Sequence, residues 1–209
     1  SRIQNQYIRN QFEGQIDTGK MMQALIKRVQ ELGVIILNNT KVERYFEHSD
    51  KIEIKTTHFE LSALKLIFTT NGFAKQLINE DVQPARAQAL ITKPLKNLQI
   101  KGPFHLDCGY YYFRNVDDRI LFGGGRNLDF KTEETFEFGQ TAIIQNELEN
   151  IVKTTILTNT SFEIEHRWSG IMGVGDQKKA IVKQLSNHVF CGVRLGGMGV
   201  AIGSLLGKE

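Results

Sequence analysis

Glycine is concentrated toward the C-terminal end of this chain, and this placement limits the possible folds more than any other feature. Nine of the 19 glycines lie between Gly170 and Gly207, and three more are consecutive at 123–125. Glycine serves where the backbone takes a positive φ or lies directly against another group. The C-terminal glycines fall around the junction of a predicted strand at 189–193 and a predicted helix at 198–206. A strand, a glycine turn and a helix predict an α/β unit whose turn faces a ligand.

The first 80 residues also have an α/β pattern. A predicted helix at 18–32 has an apolar stripe, formed by Met22, Leu25, Ile26, Val29 and Leu32. Predicted strands follow it, at 34–37, 42–46, 52–57 and 64–70. Asn71 and Gly72 end the last of these strands, and a short helix is predicted at 73–78. Such a polar turn is where α/β sheets bind ligands, although an ordinary connection is equally compatible with the pattern.

Between residues 84 and 168 the pattern changes. Predicted strands lie at 86–92, 109–114, 119–124 and 161–168, and a helix is predicted at 132–154. Alternation along the second strand puts Tyr110 and Tyr112 on one face, with Tyr111 and Phe113 on the other. These features predict an α+β domain with a mostly antiparallel sheet.

Composition and charge argue against several classes of protein. The 26 Lys and Arg against 23 Asp and Glu give a net charge of +3, and the basic residues are spread along the chain. Charge therefore indicates no nucleic acid partner. No apolar run approaches the roughly 18 residues that a membrane span needs. Cys108 and Cys191 lie far apart without metal-ligand spacing, which predicts no metal site and a reducing, cytoplasmic location.

Arginine and aromatic side chains of the antiparallel segment are candidates for binding a substrate. They are Arg86, Arg114, Arg126, Tyr110, Tyr112 and Trp168. A guanidinium beside tyrosine hydroxyl groups can hold a carboxylate through paired hydrogen bonds. Each of these residues taken singly is more typical of an ordinary sheet surface, and spacing alone does not decide between the two interpretations.

Eight short segments, taken in order, resemble the D-amino-acid oxidase superfamily of FAD-dependent oxidoreductases, in particular the branch of glycine oxidase, sarcosine oxidase and D-amino-acid dehydrogenase. The segments are Gly14-Gln-Ile-Asp-Thr18, Gly33-Val-Ile-Ile36 with Asn39-Thr-Lys-Val42, Thr69-Thr-Asn-Gly72, Pro84-Ala-Arg-Ala-Gln88, Gly109-Tyr-Tyr-Tyr-Phe-Arg114, Ile120-Leu-Phe-Gly-Gly124, Trp168-Ser-Gly170 and Gly196-Gly-Met-Gly199. Their order and spacing resemble those of the superfamily over nearly the whole chain.

The resemblance implies a discontinuous fold. Residues 1–80 and 170–209 would form an incomplete, Rossmann-like α/β FAD-binding portion, and residues 81–169 an α+β substrate domain. The superfamily begins with a strand and a GxGxxG segment that holds the FAD pyrophosphate, and nothing before Gln15 resembles it. We therefore expect the chain to be the C-terminal portion of a longer oxidoreductase, and to bind FAD poorly by itself.

By position, the resemblance also implies the residues of two sites. Those expected near the cofactor are Val42, Asn71, Gly72, Gly170, Ile171, Gly197, Met198, Gly199 and Val200. Those expected near the substrate are Arg86, Tyr110, Tyr112, Arg114 and Arg194. Arg194 is included because Met172 and Gly173 stand where relatives have the arginine and proline that hold a substrate carboxylate. No protein acid or base is required if the amine arrives neutral, so no catalytic residue is predicted.

The implied activity is oxidation of a small-molecule amine or amino acid by hydride transfer to flavin N5. Two alternatives stay open. A hydroxy acid or a modified-nucleotide side chain as substrate is compatible with the missing arginine after Trp168. A binding module without redox chemistry is compatible with the aromatic face of Tyr110 and Tyr112.

Overall fold

A computed structural model describes residues 8–208 of the chain. Residues 8–17 and 86–171 form one compact unit, and residues 18–85 and 172–208 form another. We name them the antiparallel unit and the mixed unit, after the sheets that they contain.

Strands make up most of the regular structure. In chain order the elements are α1 (Thr18–Glu31), β1 (Val42–Glu47), β2 (Ile52–Thr56), β3 (Glu60–Ala63), β4 (Leu66–Phe68), β5 (Gln83–Thr92), β6 (Pro103–Leu106), β7 (Tyr111–Val116), β8 (Arg119–Gly124), α2 (Ala142–Ile151), β9 (Ile164–Val174), β10 (Ile181–Gln184), β11 (Val189–Val193) and α3 (Gly199–Leu206). Short 3-10 helices lie at Asn71–Gln76, Asp107–Gly109 and Arg126–Leu128, and a π-helical turn at Val152–Ile156 extends α2. No helix among residues 8–208 is long and apolar enough to cross a membrane.

The mixed unit contains two three-stranded sheets. Strands β1, β2 and β3 form an antiparallel sheet in that order. The second sheet has the order β10-β11-β4, with β11 antiparallel to β10 and parallel to β4. The buried core consists of Ile52, Ile54, Phe68, Ala74, Ile78, Val82, Val189, Cys191 and Val193. Helix α1 contributes no buried residue to this core.

The antiparallel unit is a five-stranded sheet with α2 on one face. Its strand order is β6-β7-β8-β5-β9. The core between the sheet and α2 includes Leu90, Phe113, Phe122, Ile144, Leu148 and Ile151. On the other face the register pairs Tyr112 with Gly123 and Gly123 with Ala89. We call this second face the tyrosine face, because directly paired residues of neighbouring strands lie on the same side of a sheet.

The predicted fold class, mixed α/β with antiparallel sheets, is confirmed. The sequence pattern misses β3, β6 and β10, each of which has four residues. So short a strand shows too little alternation to be distinguished from a loop.

Two predicted elements are wrong. Residues 34–37 are not a strand, because they have no ladder partner among the described residues and a strand is not stable alone. The predicted helix at 132–154 begins only at Ala142. Glu133 is instead drawn into a buried hydrogen-bond network, and Gly139 has a φ of +142°, which no helix can contain.

The bounds of several other predicted elements change. The predicted strand at 64–70 shortens to β4, with Ala63 at the end of β3. The predicted strand at 109–114 lies two residues later, as β7, and the one at 161–168 becomes the longer β9. The short helix after the 64–70 strand is a 3-10 helix that begins at Asn71.

Candidate functional site

A glycine turn in the mixed unit connects β11 to α3. Its backbone has positive φ at Arg194 (60°), Gly196 (56°) and Gly197 (84°), a path that favours glycine. Two backbone groups hold the turn in place. The Leu195 N–H donates to Asn71 Oδ1 over 3.0 Å, and the Gly196 N–H donates to the Gly173 carbonyl over 2.9 Å.

The outer side of this glycine turn is open. A Cβ added at Gly196 would meet no atom within 4 Å, and one at Gly197 would lie 3.5 Å from Met172 Sδ. The N–H groups of Gly199 and Val200 begin α3 and have no hydrogen-bond acceptor within the described part of the chain. Unpaired amides at a helix start carry partial positive charge. This arrangement suits a flat group that presents carbonyl oxygens.

Asn71 and Gly72, both predicted to contact a cofactor, lie next to residues of the glycine turn and β9 inside the mixed unit. Asn71 has a φ of 49°, and its side-chain oxygen accepts the hydrogen bond from the Leu195 N–H. A Cβ on Gly173 would overlap Asn71 Oδ1 and approach the Gly72 nitrogen to 2.9 Å. Gly173 is therefore required by packing inside the protein. The half-buried side chain of Val42 packs against the core of the mixed unit, and Val42 pairs with Thr56 of β2.

The Arg194 side chain forms hydrogen bonds to other residues of the mixed unit. Its Nε donates to the Lys179 carbonyl over 2.8 Å, and its Nη1 donates to the Asp81 carbonyl over 3.0 Å and to the Asp81 carboxylate. Gly175 leaves room for the arginine stem, because a Cβ there would lie 2.6 Å from Arg194 Cδ. The side chain is 8% exposed. This geometry makes Arg194 a brace of the glycine turn and does not favour the predicted substrate contact.

Arg86 likewise has a partner, because it forms a buried ion pair within the antiparallel unit. Its Nε and Nη2 each donate to the Glu133 carboxylate over 2.8 Å, and Glu133 is 0% exposed. Gln88 and Thr141 donate to the same carboxylate, at 3.0 and 3.3 Å. Burial by itself raises the pKa of Glu133, but the hydrogen bonds from Arg86 and Gln88 and the arginine charge outweigh it and lower the pKa.

Arg86 and Tyr112 therefore do not share a face. Arg86, Gln88 and Leu90 alternate along β5 onto the side that α2 covers. Tyr112 lies on the tyrosine face, as its predicted alternation with buried Tyr111 and Phe113 requires. The predicted grouping of Arg86 with Tyr112 around one substrate is therefore not found.

On the tyrosine face, the ring of Tyr112 covers Gly123. A Cβ on Gly123 would come within 2.6 Å of Tyr112 Oη, so the phenol lies directly on the glycine backbone. Burial raises the pKa of Tyr112 above its ordinary value of 10.0. Arg114, two residues on along β7, donates to the Ile16 carbonyl over 2.7 Å. The polar groups of this face include the Tyr112 hydroxyl and the exposed His105, which pairs with Tyr112 across β6 and β7.

Gly170 and Ile171 lie in β9, after the half-exposed Trp168. A Cβ on Gly170 would meet no protein atom within 4 Å, so packing within the protein does not require this glycine. Among residues 8–208, no three His, Cys, Asp or Glu side chains are grouped closely enough to hold a metal ion.

Arg126, one of the candidate arginines of the antiparallel segment, is not among the residues that the family resemblance implies for either site. It follows the consecutive glycines and lies over the Phe130 ring, 4.6 Å from the ring centre. The Tyr110 ring meets Phe130 edge-on at 6.2 Å. The sequence signal for this group of side chains is an arginine and a phenylalanine four residues apart, directly after three consecutive glycines.

A family model described as FAD dependent oxidoreductase (DAO) matches residues 7–209, and the chain belongs to this family. A search of the curated proteins found no match. The chain has the fold of several solved oxidoreductases, over about half of their length.

Three of these structures illustrate the similarity. L-proline dehydrogenase from P. horikoshii is 18% identical, with a TM-score of 0.75 over 92% of this chain and 54% of that protein. Iminodiacetate oxidase from Chelativorans sp. is 20% identical, with a TM-score of 0.69 over 91% and 53%. Glycine oxidase from Bacillus cereus is 12% identical, with a TM-score of 0.73 over 90% and 53%.

Proposed function

We propose that the chain forms the C-terminal portion of an FAD-dependent oxidoreductase that oxidises an amine or amino acid. The single observation that carries the proposal is the braced glycine turn with its unpaired amides at Gly199 and Val200. Membership of an FAD-dependent family supports it, as do the names of the similar structures, whose substrates are proline, iminodiacetate and glycine.

The residues of the mixed unit fit a flavin ring in two respects. The unpaired amides of Gly199 and Val200 would donate to ring carbonyl oxygens and stabilise the negative charge that develops on reduction. Gly196 has no Cβ to obstruct a flat ring, while Asn71 and Arg194 fix the turn from inside the unit. When bound, FAD would supply the hydride acceptor at N5, so that the amine becomes an imine that water hydrolyses.

The antiparallel unit would bind the substrate. Tyr112 offers its hydroxyl on the tyrosine face, where its ring lies against Gly123. Trp168 and Tyr110 add exposed aromatic surface. This combination suits a small, partly apolar molecule with one or two polar groups.

We further propose that a nucleotide-binding segment packs on α1 in the functional protein. Met22, Leu25 and Ile26 form the apolar stripe of α1, yet their exposed fractions are 49%, 50% and 45%. Residues 34–37 are apolar and exposed as well. An exposed apolar stripe of this kind is typical of an interaction site. The free thiols of Cys108 and Cys191 support the cytoplasmic location that we propose.

Anaerobic reduction of the flavin tests the activity. The protein encoded by the complete reading frame is mixed with D-amino acids, glycine, sarcosine, proline and related amines, and flavin absorbance is followed. We expect bleaching by at least one of these compounds. Failure with every primary and secondary amine would remove this substrate class.

A flavin absorption spectrum tests the requirement for a further segment. We expect the purified 209-residue chain to retain little FAD, and the complete protein to retain it fully. Stoichiometric FAD in the 209-residue chain would contradict the proposed role of the α1 face.

A further inference from the structure

Asp81 connects three separate segments of the mixed unit. Its carboxylate accepts hydrogen bonds from Arg194 Nη1 and, over 3.3 Å, from the Asp176 N–H. Its backbone carbonyl accepts a further bond from Arg194 Nη1 over 3.0 Å. Ile78 and Val82, on either side of Asp81, are buried in the core of the mixed unit. A segment anchored in the core therefore holds both the first residue of the glycine turn and the loop that follows β9.

The backbone of Arg194 has a conformation that needs support from its surroundings. Its φ is 60°, in the left-handed region that is unfavourable for residues other than glycine. A residue stays in such a conformation only where neighbouring contacts determine it. The bonds of the guanidinium to Asp81 and to the Lys179 carbonyl supply these contacts. The ion pair thus fixes the direction in which the chain enters the glycine turn.

The residues that follow Arg194 have little stiffness of their own. Three of the next five are glycines, which have the largest backbone freedom of all residues. The N–H groups of Leu195 and Gly196, which hold the turn against the rest of the unit, directly follow Arg194 in the chain. The positions of these N–H groups, and of the Gly199 and Val200 amides beyond them, therefore depend on the ion pair.

We propose that Asp81 is a positioning residue for the flavin, and that it acts through Arg194 to raise the reduction potential of the bound cofactor. Preorganised donors stabilise a developing charge more than mobile donors do, because they need no reorientation during the reaction. A fixed glycine turn therefore lets the unpaired amides of Gly199 and Val200 favour the reduced, more negative flavin. The assignment rests on the proposed FAD-dependent function, and it gives a role to a residue that no motif of the sequence indicates.

The reduction potential of the flavin in the complete protein tests the proposal. Removal of a negative charge near the flavin would by itself raise this potential, because the reduced flavin carries more negative charge. Asp81→Asn should instead lower the potential by at least ~30 mV, a tenfold smaller equilibrium constant for two-electron reduction. The sign of the change thus separates positioning from a direct effect of charge. Reduction in equilibrium with a redox dye, without any amine, measures the potential.

Glu80→Gln is the matched control. Glu80 precedes Asp81 in the chain, but its carboxylate pairs with Lys183 of β10 over 2.8 Å. This variant removes the same charge and should not lower the potential. Arg194→Lys is a second test, because it keeps the charge but loses the planar fork that reaches Asp81 and the Lys179 carbonyl together. It should lower the potential as Asp81→Asn does.

Amide hydrogen exchange of the complete protein after removal of FAD examines the glycine turn directly. Asp81→Asn should speed exchange at Leu195 and Gly196 about tenfold, because their hydrogen bonds persist only while the turn is held. Glu80→Gln should change exchange at these two amides much less. Exchange in β2, whose Ile52 and Ile54 are buried, shows whether each variant is folded.

The outcomes separate this inference from the proposed function. An unchanged or raised potential in Asp81→Asn, or unchanged exchange at the turn, would overturn the Asp81 assignment and leave the amine-oxidising function standing. An equal fall for Asp81→Asn and Glu80→Gln, or no fall for Arg194→Lys, would also overturn the assignment. A lowered potential in Asp81→Asn, in a protein whose flavin no amine bleaches, would support the assignment and refute the amine-oxidising function.

Discussion

Helices α1 and α2 have similar apolar periodicity but different surroundings. Helix α2 buries Ile144, Leu148 and Ile151 against the sheet of the antiparallel unit. Helix α1 buries no residue, and Leu25, in the middle of its stripe, is 50% exposed. An amphipathic pattern therefore indicates that a face is suited to burial, whereas the structure shows whether a partner covers it. The antiparallel unit has the covered helix, and the mixed unit has the uncovered one.

The largest expected effect tests whether the antiparallel unit depends on its buried ion pair. Glu133→Gln should lower the free energy of unfolding by about 3–5 kcal/mol, because it leaves the Arg86 guanidinium buried without a counter-charge. Urea unfolding measures this loss. Glu163→Gln is the control, since it breaks the exposed pair with Lys93 and should cost much less. Equal losses for the two variants would show that Arg86 is not dependent on Glu133.

The same carboxylate predicts a pH dependence. The pKa of Glu133 is lowered in the folded protein, so its contribution is fully present above the unfolded value of about 4.3. It should be lost as the pH falls through the lower folded pKa. The stability difference between wild type and Glu133→Gln should therefore shrink below about pH 4. A difference that stays constant from pH 7 to pH 3 would contradict the assignment.

The next effect compares the two helices directly. Leu148→Ala should cost about 2–5 kcal/mol, because it leaves a cavity in the core of the antiparallel unit. Leu25→Ala in the 209-residue chain should change stability by no more than about 0.5 kcal/mol. In the complete protein we expect Leu25→Ala to cost more, since a covered leucine leaves a cavity. An equal cost of Leu25→Ala in both proteins would mean that α1 stays exposed.

The sequence predicts the strands of the antiparallel unit better than it predicts which residues their side chains contact. Alternation along β7 correctly separates Tyr112 from Tyr111 and Phe113. The destination of Arg86 depends on Glu133, 47 positions away in a segment with a helical pattern. No local pattern shows a contact over that distance. Residues 34–37 fail for a related reason, since strand character requires a pairing partner as well as apolar residues.

The sequence also does not show which glycines pack against other protein atoms and which face open space. Of the three consecutive glycines, Gly123 and Gly124 are needed for contact with Tyr112 and with the Tyr110 carbonyl. Gly173 is likewise needed for contact with Asn71. Gly170 and Gly196 have no such neighbour. The three-dimensional structure is needed to distinguish these two kinds of glycine.

Gly173→Ala tests a glycine of the first kind. The added methyl would overlap Asn71 Oδ1, and the backbone of the 3-10 helix must move to admit it. We expect a loss of about 1–3 kcal/mol in the free energy of unfolding. No change in stability for Gly173→Ala would contradict the packing around the glycine turn.

Gly170→Ala should have the smallest effect on folding and yet a large one on the cofactor. Its added methyl meets no protein atom within 4 Å, so stability should stay within about 0.5 kcal/mol. If Gly170 lines the flavin, the methyl enters space that the ring needs. The FAD affinity of the complete protein should then fall at least about tenfold, or ~1.4 kcal/mol. Gly192→Ala is the matched control, because it also has open space but no predicted role. Equal FAD affinity in the two variants would separate Gly170 from the cofactor, and would leave the glycine turn before α3 as the part of the proposed site still supported.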